Sequence, residues 1–292
     1  MALTTTSGTG RRFRVGPSLA LLPFLAYVGI FLLVPTFTVI VNGFVENGSF
    51  SLSNVRTLFT ATVFETTWKS ILLSLSTALI GATLGALLAY LALSGNPNGL
   101  LRRATVSVSG VLAQFGGVTL AFAWIVTVGS QGLLTQFLTK VLGHDVFNGS
   151  GWLYGMPGLI LVYTYFQIPL MVIVFVPAIE GLRPQWREAA TNLGASTWRY
   201  WREVGIPVLT PSFLASTMLL FANAFAAYAT AAVLVSQGQP IVPLMIRAAL
   251  TSEVVLGQQN LAFALALEMV VIVSLVMVLY NWYLKRTARW LQ

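Results

Sequence analysis

The 292-residue chain has no cysteine and one histidine, His144. Without thiols there is no disulfide framework, no thiolate nucleophile and no cysteine-based metal site, and one imidazole cannot build a histidine cage. Charge is scarce too. Only 8% of residues are Asp, Glu, Lys or Arg, against about 25% in a soluble globular domain. No G-x-x-x-x-G-K-[ST] stretch occurs, so the chain lacks the loop that cradles nucleotide phosphates and is expected to bind no ATP and no other cofactor. His144 and Asp145 are adjacent in a polar connector with no nucleophile nearby, so they read as solvated loop residues rather than as a catalytic pair.

What the chain has in abundance is apolar surface, 57% of its residues. This falls into runs of roughly 20–28 residues, long enough for a helix to cross a hydrocarbon core about 30 Å thick. The expected fold is an all-α polytopic membrane protein with six spans, at 17–42, 70–94, 104–129, 156–180, 207–235 and 260–284. Residues 1–16 and 285–292 form tails around a single membrane domain, 17–284. Arg11, Arg12 and Arg14 ahead of an apolar run could open a secretion signal. That run is too long, contains Pro23 and Pro35 and lacks a small-residue cleavage site, so a retained helix is expected.

The net charge of +8 is distributed by side rather than clustered as a nucleic-acid footprint. With six spans, one side of the membrane receives Arg11, Arg12, Arg14, Arg102, Arg103, Arg183, Arg187, Arg199, Arg202, Lys285, Arg286 and Arg289. Arg56, Lys69, Lys140 and Arg247 are left for the other. The positive-inside rule makes the first side cytoplasmic and places both termini there. Trp68, Trp152, Tyr154, Trp282 and Tyr283 fall near span ends, where aromatic rings favour the interface. The connectors 43–69, 130–155 and 236–259 are expected on the opposite side, as short surface helices or simple links; the last contains Pro240, Pro243, Arg247 and Glu253.

The 181–206 connector is the charged island of the chain. Residues 186–193 are good helix formers, Gly194 can end a helix, and Ser196 or Thr197 can start another. A helix, a glycine turn and a second helix are expected, lying at the membrane surface with Trp198, Tyr200 and Trp201 forming an amphipathic face. Pro207 marks the start of the fifth span, a position where proline is tolerated.

The spacing here is Glu188-Ala189-Ala190, three residues, Gly194, nine residues, then Val204-Gly205-Ile206-Pro207. It resembles the EAA loop of binding-protein-dependent ABC importer permeases, Glu-Ala-Ala, three residues, Gly, nine residues, Ile-x-Leu-Pro. Val204 and Ile206 replace Ile and Leu, and the motif precedes a penultimate span as in that family. The resemblance implies the type I importer permease fold, with residues 183–206 forming the coupling helices that dock on a separate ATP-binding cassette ATPase. It assigns Glu188, Ala189, Ala190, Gly194, Ala195 and Pro207 to that coupling. The competing reading has Glu188 pairing within the loop with Arg187 or Arg183. The resemblance further implies an ATPase dimer, a second permease subunit (identical or different), an extracytoplasmic substrate-binding protein and a bacterial inner-membrane location.

Polar groups inside spans are costly and face a cavity or a partner helix. Glu268, Asn223, Gln167 and Gln114 are therefore candidates for a translocation path. The alternative for each is interhelical hydrogen bonding, with Glu268 protonated or paired. Pro169 and Gly116-Gly117 can open local backbone, whereas Gly81, Gly85 and Ala89 read as a close-packing ladder. The segments Asn223–Ala231, Ile241–Leu244 and Gln259–Leu267 resemble the spermidine/putrescine branch, implying a small charged solute such as a polyamine, ferric iron or phosphonate. A sugar-importing permease and an ion-coupled secondary transporter are the alternatives. The latter is disfavoured by a single intramembrane acid and the lack of a visible repeat.

Overall fold

The computed structural model describes residues 21–46, 48–95, 99–143, 148–235, 241–251 and 259–287. Among them, six helical stretches are long and apolar enough to cross a membrane. The expected positions at 17–20, His144, Asp145, Pro240, Glu253 and Arg289 lie outside the described residues, as do Arg11, Arg12 and Arg14.

Helix α1 (Leu22–Gly43) is long and apolar, and none of its most hydropathic window is buried. A two-residue antiparallel ladder, Val45–Glu46 against Ser49–Phe50, and the short α2 (Ser53–Thr57) follow. Helix α3 (Ala61–Leu93) starts well before the expected residue 70. The reason is local: Glu65 and Lys69 pair one turn apart at 2.6 Å, so charged residues extend the helix beyond its apolar run.

The third span departs most from expectation. Instead of one helix over 104–129, there is α4 (Leu100–Leu112), a break at 113–116, and α5 (Gly117–Val128). After Gly129–Gly132 comes α6 (Leu133–Leu142), and 117–142 is the stretch apolar enough to span. Gly116 is extended and Gly117 has φ +66°, a conformation that a side chain resists. Arg102 and Arg103, expected in a loop, ride on α4.

Helix α7 (Met156–Glu180) matches the expected fourth span, with Pro157 in its first turn. Next come α8 (Pro184–Asn192), α9 (Thr197–Tyr200), a widened π turn (Trp201–Gly205) and α10 (Ile206–Ala226). The expected fifth span, 207–235, breaks at Ala227-Tyr228 before α11 (Ala229–Leu234). Helix α12 (Val242–Thr251) occupies the last connector, and α13 (Gln259–Thr287) is the sixth span.

Helices α3 and α7 form the spine. A Cβ on Gly81 would sit 2.5 Å from Cβ of Gln167, and one on Gly85 would sit 2.5 Å from Cβ of Met171 and 2.7 Å from the Ile168 carbonyl. Ala78, Ala82 and Ala89 are fully buried on the same helix. Thr66, Ser70, Ser74 and Thr77 donate to carbonyls one turn back at 2.7–3.0 Å, which hides their hydroxyls inside the helix's own hydrogen bonding. Helix α10 closes on this pair through Leu220, Phe221 and Phe225, which cluster with Met171 and Phe175. At the N-terminal end of α3, the Val242 amide donates to the Ser70 hydroxyl at 2.8 Å, which anchors α12.

Overpacking this spine is expected to be costly. Gly85→Ala should lower stability by about 1–3 kcal/mol, because a backbone carbonyl cannot yield. Gly110→Ala, whose Cβ meets nothing within 4 Å, should be neutral or mildly stabilising. Thermal unfolding of the purified protein in detergent checks this; equal melting shifts for the two variants would refute the packing argument.

Candidate functional site

The loop between α7 and α10 is ordered by its own hydrogen bonds. Arg183 is extended, and Pro184 opens α8. At the other end, Gly194 takes φ +77°, its amide donates to the Thr191 carbonyl at 2.9 Å, and the Ala195 amide donates to the Ala190 carbonyl at 2.9 Å. This is a Schellman cap, in which a left-handed residue lets two amides satisfy the last free carbonyls of a helix. It gives Ala190, Gly194 and Ala195 defined local roles. Ser196 then caps α9, its hydroxyl accepting from the Arg199 amide at 3.3 Å. Arg199 and Glu203 pair one turn apart at 3.1 Å on the exposed side.

The helix–glycine–helix arrangement is thus present, with Ala190 the one half-buried residue of α8. Glu188 is exposed and makes no ion pair among the described residues, with either Arg183 or Arg187 or otherwise. Two apolar side chains flank the turn in solvent: Leu193 is 87% exposed and Trp198 71%.

A second feature lies within the bundle, where the two helix breaks meet. Ala113, Gly116, Gly117, Asn223, Tyr228 and Thr230 help line a cavity of about 290 Å³. The Thr230 hydroxyl donates to the Gly117 carbonyl at 3.2 Å, joining the two breaks. The buried Tyr163 hydroxyl of α7 donates to the Ala227 carbonyl at 2.5 Å. Arg247 of α12 lies over the Tyr228 ring, 5.8 Å from its centroid. The described residues lining the cavity therefore offer amide and hydroxyl groups, none of them acidic, and Arg247 stacks on one of them, Tyr228.

A family model described as "Binding-protein-dependent transport system inner membrane component" matches residues 137–289, more than half of the chain and inclusive of the loop. The chain belongs to this family. Among relatives of this inner membrane component, the "Probable sulfate transport system permease protein cysT" of Anthoceros angustus is 28% identical over 44% of this chain and 45% of its own length. The "Ferric transport system permease protein FbpB" of Actinobacillus pleuropneumoniae is 23% identical over 77% of this chain and 32% of its own. The chain thus spans less than half the length of these two relatives. Its fold matches a bacterial ABC transporter involved in import of the acidic polysaccharide alginate, with TM-score 0.72 over 92% of this chain and 94% of that one, at 16% identity. The fold is that of a type I ABC importer permease.

Of the four polar positions read from the sequence of this inner membrane component, the structure brings one, Asn223, into the cavity. Gln114 sits in the neighbouring break, exposed, its carbonyl accepting from the Gly116 amide at 3.0 Å. Gln167 is fully buried in the α3–α7–α10 seam, and its Nε2 donates to the Leu220 carbonyl at 2.7 Å, the interhelical alternative. Glu268 lies on α13 against α3, where its Oε1 accepts from the Thr67 hydroxyl at 2.8 Å; it is not among the cavity residues. Its Oε2 and the Gln167 Oε1 have no partner among the described residues. Tyr163, Tyr228 and Thr230 escaped the sequence reading, because hydroxyls in apolar runs look like ordinary span residues. The Gly116-Gly117 pair was the available signal.

Removing the hydroxyls that cover the two breaks is expected to loosen them. Tyr163→Phe and Thr230→Val should each cost about 0.5–2 kcal/mol, the range for hydrogen bonds between membrane helices. Unfolding in a detergent titration followed by tryptophan fluorescence measures this. Two variants as stable as the parent would show that the breaks hold without these donors.

Proposed function

We propose that the chain is the transmembrane permease subunit of an ATP-driven importer. It forms a solute path and takes its energy from a separate ATPase docked on the exposed turn of the 183–206 loop, around Leu193 and Trp198. The observation that carries this reading is the preformed, solvent-exposed loop with Leu193 and Trp198 on either side of its Schellman turn, in a chain without a phosphate loop. Exposed apolar side chains on a rigid scaffold suit burial in a partner's groove. Glu188, Ala189, Ala190, Gly194 and Ala195 form or support this surface, and Pro207 sets the entry into α10. Glu188 supplies a charge-assisted contact. The positive-inside pattern supports a cytoplasmic loop and cytoplasmic termini in an inner membrane, and the family description supports an external binding protein as a partner. A second permease subunit, the same or different, completes the path.

For the solute, the cavity at the crossed breaks supports Asn223 as a path residue, with Gln114 at its margin. Glu268 and Gln167 remain weaker candidates, since each already serves an interhelical bond. Relatives named for sulfate and ferric iron favour a small charged solute. The polyamine-type branch rests on the sequence segments alone. ATP bound by the partner is the only nucleotide involved.

The decisive experiment is co-purification with the ATPase subunit. Leu193→Asp and Gly194→Val should each reduce retained ATPase about tenfold or more, while the permease still inserts, since losing a buried anchor costs at least about 1.4 kcal/mol. Undiminished retention in both variants would sink the docking role. ATP-dependent uptake that disappears when the ion gradient is collapsed would instead support a secondary transporter.

A further inference from the structure

Among the described residues, an ion pair upstream and a ring contact downstream join the ends of the loop to the bundle, and they differ in kind. Upstream, Arg102 at the start of α4 pairs with Glu180 at the end of α7, with side chains 29% and 44% exposed. An ion pair so open to water is weak and easily exchanged. Downstream, the Trp201 ring stands edge-on to Tyr90, with centroids 5.0 Å apart and planes at 87°, and also meets Tyr200 at 5.7 Å and 72°. Tyr90 lies in the last turn of α3, the helix that carries the tight spine.

The chain makes room for this indole. A Cβ on Gly205 would overlap the Trp201 ring, so a side chain there must displace it. The backbone between the two residues is a π turn, in which the Ile206 amide reaches back to the Trp201 carbonyl. Pro207 has no amide to offer the Glu203 carbonyl, which favours the widened register. In the resembled motif, position 205 is unspecified; here it is the residue that admits the tryptophan.

We propose that Trp201 is a positioning residue that passes displacement of the loop into α3, so that α3 and α10 move as one body. The proposal rests on the exposed turn of the loop being the ATPase-docking surface. A push on α8 crosses the capped Gly194 turn into α9 and then divides at Trp201. One branch follows the chain into α10, and the other crosses the ring contact into Tyr90. An indole has two rotatable bonds, and this one meets Tyr90, Tyr200 and Gly205, so it transmits a shift that a flexible side chain would absorb. Without it, α3 follows the loop only through its packing on α10 deeper in the bundle.

The absence of cysteine allows clean paired spin labels. Leu87→Cys on α3 and Val278→Cys on α13 occupy exposed positions. In the complex purified with its ATPase subunit, their separation is measured with and without a non-hydrolysable ATP analogue. The parent should show a nucleotide-dependent shift. Trp201→Ala and Gly205→Ala should reduce it about threefold or more, while Trp201→Phe should keep most of it, as expected for loss of coupling between sites. ATPase retention should be unchanged in all three. Gly205→Ala leaves the exposed loop face intact and decides the question if Trp201→Ala does not insert. An unaltered shift in both alanine variants overturns the proposal, as does a parent that shows no shift. Loss of the ATPase subunit from these variants also overturns it, because Trp201 would then belong to the docking surface. Failure of the docking role itself appears separately, as a Leu193→Asp complex that keeps its ATPase.

Discussion

The close approach of α3 and α7 at Gly81 and Gly85 is the constraint on which the rest of the bundle depends. Lipid tails are as apolar as leucine, so no hydrophobic drive pulls helices together inside a bilayer. What remains is van der Waals contact and hydrogen bonding, and both require backbones to come near. Two glycines remove the side chains that would hold the helices apart. Once α3 is seated, its other faces organise the neighbours. Ser70 receives the α12 amide, Thr67 meets Glu268 of α13, and Tyr90 meets Trp201. One helix thereby reaches the loop at one end and α12 and α13 at the other.

The two helix breaks follow from a second constraint. Backbone amides and carbonyls in hydrocarbon must be satisfied within the protein, so an unwound segment survives only where other groups cover it. Tyr163 and Thr230 donate to carbonyls at the breaks, and the breaks face each other. The cavity is the consequence: interrupting two helices at one place concentrates polarity there, while the surrounding spans stay apolar. Irregular backbone between apolar helices is tolerated in this arrangement, namely lining a cavity.

Much of this was legible in the sequence, and the misses have physical causes. The fourth span was readable at both ends because Gly155-Met156-Pro157 starts it and Glu180-Gly181 stops it. The glycine ladder and the helix–glycine–helix loop were legible because small residues and left-handed caps leave distinct marks. The third and fifth spans misled because hydropathy averages over a window: Ala227-Tyr228 is too short an interruption to show between the apolar helices it separates. The early start of α3 was hidden by Glu65 and Lys69, whose charges look like loop until they are paired. Asn223 and Gln167 carry the same two readings in the sequence, path or interhelical bond, because polarity within a span does not say which face it lies on. Gln167 turns towards Gly81 and the Leu220 carbonyl, and spends its amide on holding three helices together.

The order of the loop matters as much as its exposure. A surface segment that folds only on contact spends part of its binding energy on ordering itself. Here α8 is closed by the Schellman bonds from Gly194 and Ala195, α9 is capped by Ser196, and the chain re-enters the bundle through the π turn and Pro207. Each bond is local, so the segment keeps its shape although most of its side chains are exposed. A preformed projection of this kind loses little entropy on docking and yields little on being pushed. Force applied at Leu193 or Trp198 therefore reaches the ends of the loop rather than being spent within it, and the firmer of those ends is the aromatic one at Trp201.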